Sequence, residues 1–173
     1  MDTTTPTIVE DVSDAALRQL AERVGDTLRL NRHMLCTAES CTGGWIAKMI
    51  TDIPGCSDWF DCGLAAYSYE AKQALLGVRP ETLTHFGAVS RETVLEMVSG
   101  ALITSGASVA VAVTGIAGPG GGTPDKPVGL VWIGWKRRGQ YPVAEEFHFQ
   151  GDRETVRRQT VAAALQGLLA VAG

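Results

Sequence analysis

The 173-residue sequence predicts an α/β domain with helices on both faces of a mixed sheet. Three observations lead there. Strand-like and helix-like runs alternate along the chain. The stretch "SVAVAVTGIAG" stays apolar, with no polar alternation until Thr114, as a central strand covered on both faces must. Late in the chain, "VGLVWIGW" and "VAEEFHFQ" flank "KRRGQYP" and read as a hairpin, which rules out an all-parallel sheet. With 45% apolar and 20% charged residues the composition is that of a globular chain, long enough to bury a sizeable core. Residues 14–173 read as a single domain preceded by a loose lead-in over residues 1–13.

Taken in order, Leu17, Leu20, Val24 and Leu28 recur at i, i+3, i+7 and i+11, which predicts an amphipathic helix over 13–30. "HMLCTAE" is a short strand. A helix follows over 42–51, with Trp45, Ile46, Met49 and Ile50 on one side, and Pro54-Gly55 breaks the chain after it. "WFDCGLAAYS" is a second strand and "YEAKQALLG" a helix closed by Gly77. Ser90 caps a helix whose Val94, Met97, Val98, Ala101 and Leu102 share a face. After the apolar strand, "GIAGPGGGTPDKP" is a loop and not a domain linker, because strand pattern resumes at once. Asp152 then caps a final helix lined by Val161, Leu165, Leu168 and Ala172.

Charge and composition narrow the function. A net charge of −4 argues against general nucleic-acid binding, which needs surplus Lys and Arg to neutralise phosphates. Lys136-Arg137-Arg138 reads as a solvated hairpin tip. No apolar run reaches the roughly 18–20 residues of a membrane span, and "MDTTTPTIVED" carries no secretory signal. The expectation is a soluble, cytoplasmic protein. Cys36, Cys41, Cys56 and Cys62 lack Cys-x-x-Cys spacing, and His33, His85 and His148 stand singly, so no metal site is expected.

Candidate chemistry gathers where strands end and helices begin. Ser40 lies between a strand and a helix, Thr114 ends the most apolar strand, and Tyr67 ends the second strand with Lys72 five residues on. Ser40 reads evenly as helix cap or as nucleophile. The following Thr42-Gly43-Gly44 adds weight to the nucleophile, because unpaired helix-start N–H groups stabilise an oxyanion and glycines let a carbonyl come close. Cys41 is the rival, but with no histidine beside it a buried structural thiol is the plainer reading. A hydroxyl nucleophile needs a base, and Lys72 is the economical candidate. An ordinary lysine is charged at pH 7. Lowering its pKa by about three units takes about 4 kcal/mol, which burial can supply; a solvated helix lysine is the alternative. Tyr67 equally fits a strand aromatic with its hydroxyl at the core edge. The glycine-rich loop, with Gly115 and Gly118, is weak evidence for phosphate binding, since no Walker A or complete dinucleotide fingerprint is present. "GDRETVRRQ" is the better anion candidate, with Arg153 just inside a helix start, weighed against a surface helix whose charges face water.

Read together, "TAESCTGGWIAKMITDIPGCSDWFDCGLAAYS", "EAK", "GAVS", "TGIAGPGGGTPDKPVGLVWIG" and "GDRETVRRQ" resemble the C-terminal domain of the competence/damage-inducible protein CinA, over residues 15–170 or so. The resemblance implies a three-layer α/β/α sandwich, a homodimer or higher homo-oligomer, and no cofactor. It also implies hydrolysis of the carboxamide of nicotinamide mononucleotide to nicotinate mononucleotide and ammonia, within pyridine-nucleotide salvage. On this resemblance Ser40 is the nucleophile and Tyr67 and Lys72 its catalytic partners; the residues themselves add Thr42, Gly43 and Gly44 as the oxyanion turn. Thr114, Gly115 and Gly118 would shape the substrate pocket, with Arg153 placed for the phosphate. One departure stands out: Tyr69 occupies a position where many members have asparagine. A non-catalytic nucleotide-binding module is the alternative from a different class, and a metal-dependent hydrolase a third.

Overall fold

The computed structural model describes residues 10–173. The expected lead-in therefore lies outside the described residues as far as residue 9. The chain runs α1 (Asp14–Leu30), β1 (Leu35–Glu39), α2 (Trp45–Thr51), a 3-10 turn (Cys56–Asp58), β2 (Phe60–Ala65), α3 (Tyr69–Leu76), α4 (Pro80–Phe86), α5 (Arg91–Thr104), β3 (Val109–Gly115), β4 (Leu130–Arg137), β5 (Val143–His148) and α6 (Arg153–Ala172).

One five-stranded sheet in the order β2-β1-β3-β4-β5 forms the middle layer. β2, β1 and β3 are parallel, with Glu39 opposite both Ala65 and Val113. β4 and β5 are antiparallel, as the hairpin pattern required. Every β3 residue from Val109 to Thr114 is buried, because helices cover both faces. On one face α1, α2 and α6 enclose a core around Leu17, Val24, Ile46, Trp59 and Leu165. On the other, α3, α4 and α5 bury Leu76, Leu83, Met97 and Val98 against Cys36, Ala38, Ala110 and Ala112. The expected three-layer sandwich is the observed one.

Caps fix the ends of the long helices. The side chains of Ser13, Ser90 and Asp152 accept from Ala16, Thr93 and Thr155 N–H, each worth about 1 kcal/mol. Two expectations need correcting. α2 begins at Trp45, not Thr42, because Gly43 and Gly44 take φ of +61° and +100°, a left-handed turn that no right-handed helix can include. The basic hairpin is solvated only in part: Arg138 is exposed yet donates to the carbonyls of Leu102 and Ala107, and half-buried Lys136 donates to Ser99 Oγ. One element had no sequence expectation, the seven-residue α4 with Pro80 at its start.

The crossing of α3 and α5 matters for the site, because α3 carries Lys72. A Cβ on Gly100 of α5 would collide with the carbonyl of Leu76 on α3. Gly100→Ala is therefore expected to destabilise the fold by about 2–4 kcal/mol in urea denaturation. Activity should fall further than the lost folded fraction explains, because the shift displaces Lys72.

Candidate active site

β1 leads into α2 on one face of the sheet, whereas β2 leads into α3 on the other. The carboxyl end of β1 thus faces a side chain returning from α3. Ser40, one residue past β1, keeps the sheet register through its N–H to Val113 O at 3.1 Å. It is 8% exposed, and Lys72 is 1% exposed. Lys72 Nζ lies 2.9 Å from Ser40 Oγ, 2.9 Å from Ala66 O and 2.7 Å from Tyr67 O. Among the described residues no carboxylate forms an ion pair with it. Burial accordingly pushes the ammonium down from the usual lysine range to about 8. Cys41, beside Ser40, moves the other way. Burial and then the Glu39 charge push its thiol up to about 12, so almost no thiolate exists at neutral pH.

Ser40 does not cap α2. That task belongs to Glu39, the last residue of β1 and 1% exposed. Its carboxylate accepts from Ile46 and Ala47 N–H at 3.0 and 2.8 Å, from Gly44 N–H at 3.1 Å, and from the hydroxyls of Thr42 and Thr37 at 2.5 and 3.2 Å. The helix-start donors expected to meet an oxyanion are therefore occupied. The N–H groups of Cys41 and Thr42, in the turn itself, have no hydrogen-bond partner among the described residues.

The remaining expected residues fall around this pair. Tyr67 contributes its carbonyl; its side chain is 64% exposed, and its hydroxyl has no hydrogen-bond partner among the described residues. Thr114 is buried and donates to Ala88 O at 2.8 Å. Tyr69 Oη accepts from Ala88 N–H at 3.3 Å, so Tyr69 and Thr114 brace the same residue from α3 and β3. Gly115 closes β3 opposite Val131. Gly118 O accepts from Arg153 Nη1 at 2.8 Å, which ties the glycine-rich loop to the start of α6. Two participants lacked a sequence expectation of their own: Glu39 as cap, and Arg157, which donates to Cys41 O and Thr42 O. Among the described residues no group of three or more His, Cys, Asp and Glu could hold a metal ion. Nor is any described helix long and apolar enough to cross a membrane.

A three-layer α/β/α domain with a buried serine–lysine pair at the carboxyl ends of its parallel strands defines the class. Within it, the chain belongs to the CinA C-terminal domain family, whose model matches residues 17–172. It is 50% identical over 157 residues to the nicotinamide-nucleotide amidohydrolase PncC of Escherichia coli K12, covering 91% of this chain and 95% of that one. The PncC of Pseudomonas putida is 53% identical over 150 residues, covering 87% and 93%. The crystal structure of the competence/damage inducible protein CihA from Agrobacterium tumefaciens superposes with a TM-score of 0.88 at 47% identity, covering 90% of this chain and 95% of that one.

Proposed function

We propose that the protein hydrolyses the carboxamide of nicotinamide mononucleotide to nicotinate mononucleotide and ammonia, with Ser40 as nucleophile and Lys72 as base. The observation that carries this reading is the 2.9 Å contact between Lys72 Nζ and Ser40 Oγ in a buried setting, with no carboxylate paired to the amine among the described residues. The substrate is supported by the amidohydrolases of E. coli and P. putida, which are named for nicotinamide nucleotides.

The surroundings of Lys72 suit a base. A neutral amine has two N–H bonds and one lone pair. The carbonyls of Ala66 and Tyr67 only accept, so they take both N–H groups, and the lone pair is left for the Ser40 hydroxyl. Ser40 Oγ attacks the amide carbon while its proton passes to Nζ. The developing oxyanion meets the free N–H groups of Cys41 and Thr42, in place of the α2 donors that Glu39 occupies. The Lys72 ammonium then protonates the leaving nitrogen, the C–N bond breaks, and ammonia departs. Water attacks the resulting ester, giving a proton to Nζ, and Ser40 recovers its proton as the acid leaves. Direct transfer at 2.9 Å needs no relay through the Tyr67 hydroxyl. Thr114, Gly115 and Gly118 shape the nicotinamide-ribose pocket. Arg153, bonded to Gly118 through one nitrogen, keeps further donors for the phosphate. The nicotinate mononucleotide formed would re-enter pyridine-nucleotide synthesis.

The pH profile tests this. Only deprotonated Lys72 can accept the Ser40 proton, so kcat/KM should rise with pH to a plateau, with its half-maximum near the shifted value of about 8. Below it, activity should fall about tenfold per pH unit. A profile flat from pH 6 to 9 in a coupled ammonia assay would remove Lys72 as base.

A further inference from the structure

We infer that Arg157 is a positioning residue for the oxyanion site, acting through the Cys41–Thr42 peptide from the opposite face of the sheet. The inference rests on the amidase reading above. Arg157 lies on α6, in the layer formed with α1 and α2, whereas Lys72 comes from the α3 layer. Its Nε donates to Cys41 O at 3.1 Å and its Nη2 to Thr42 O at 2.9 Å. The guanidinium also stands 5.0 Å from the centre of the Trp45 ring.

In a trans peptide the C=O and the following N–H point in opposite directions. With Cys41 C=O drawn towards Arg157, the Thr42 N–H is turned away from α6 and towards the layer that carries Lys72. With Thr42 C=O drawn the same way, the Gly43 N–H is turned back and donates to Ser40 O at 3.1 Å, closing the turn. Thr42 N–H is therefore oriented by Arg157 and left without a partner among the described residues. A cation on the carbonyl also polarises the N–H of the same peptide unit, making it a stronger donor to a developing oxyanion.

The other arginines of this helix do different work. Arg153 holds Gly118, and Arg158 is paired with Asp14 and Glu154. Among the described residues no carboxylate forms an ion pair with Arg157, so its charge remains directed at the turn. Arg157 has no hydrogen bond to Ser40 or Lys72. It shapes the reaction only through the backbone between them.

The experiment compares Arg157→Met and Arg157→Lys with wild type for ammonia release from nicotinamide mononucleotide. It also measures binding of 3-pyridineboronic acid, which forms a tetrahedral adduct with an active serine, and of the product nicotinate mononucleotide. Arg157→Met should lose about 30- to 100-fold in kcat with KM within threefold and the pH midpoint unmoved. Boronate affinity should fall in parallel, and product affinity should hold. Arg157→Lys keeps the charge but cannot span both carbonyls, and should lie between. Should Arg157→Met not fold, the Arg157→Lys comparison of boronate with product carries the test alone. A loss confined to KM and product affinity would move Arg157 to phosphate binding and overturn the inference, as would an unchanged kcat beside an active wild type. Wild type that releases no ammonia would instead sink the amidase reading beneath it.

Discussion

Ser40→Ala should lower kcat for ammonia release from nicotinamide mononucleotide by about 10⁴-fold or more. The substitution removes the atom that bonds to the amide carbon and leaves the N–H donors of the turn in place, so the residual rate measures the oxyanion site alone. It should do so without loss of fold. Among the described residues the Ser40 side chain makes one hydrogen bond, to Lys72, while its N–H to Val113 and its C=O to Gly43 belong to the backbone and survive. Neighbouring Cys41 cannot stand in, because its buried thiol is pushed up to about 12. A thermal melt within a few degrees of wild type, together with a coupled ammonia assay, checks both halves. Retention of a tenth of wild-type turnover would place the nucleophile elsewhere.

Lys72→Met should cost about 10³-fold or more in kcat/KM and abolish a rise of stability with pH that the wild type shows. The folded-state value of Lys72, about 8, lies below its unfolded value near 10.4, so between these values the unfolded chain binds more protons and stability rises with pH. Below about pH 8 the full penalty of burying the ammonium is felt; it is relieved as pH climbs towards 10.4. From pH 7 to 9.5 the wild type should gain on the order of 2 kcal/mol from this residue. Lys72→Met should lack that gain, so its stability relative to wild type is best at neutral pH. Urea denaturation at the two pH values checks the sign. Equal dependence in both proteins would mean that Lys72 titrates as a solvated lysine.

Much of this arrangement is legible in the sequence, for physical reasons that differ by element. The apolar run through β3 leaves no face for water, and Ser90 and Asp152 cap where their spacing to the apolar face requires. Ser40 stands out because its hydroxyl follows a strand directly, and Lys72 because its amine lies on the helix that follows the next strand. Their meeting across 32 positions depends on α3 crossing back over the sheet, which no local pattern encodes. The start of α2 is mistaken by three residues because Thr42-Gly43-Gly44 reads as a helix entrance; the paired glycines were the signal for a left-handed turn. Glu39 reads as one more polar residue in the same block. Its burial makes it the cap, and burial is a tertiary fact. α4 is one short turn-rich segment whose identity rests on packing against α5 and on Arg79 and Thr82 meeting Glu96. The sequence singles out Arg153 at the helix start and passes over Arg157, four residues on, whose role follows from where the Cys41–Thr42 turn ends in space.

The buried amine beside Ser40 is the feature on which the chemistry turns, and its titration can be observed directly. Protein labelled with ¹³C at lysine Cε should show one resonance, absent from Lys72→Met, that titrates near pH 8. A Lys72 resonance titrating in the range of an unperturbed lysine, about 10.4, would leave Ser40 without a base at neutral pH and contradict the account.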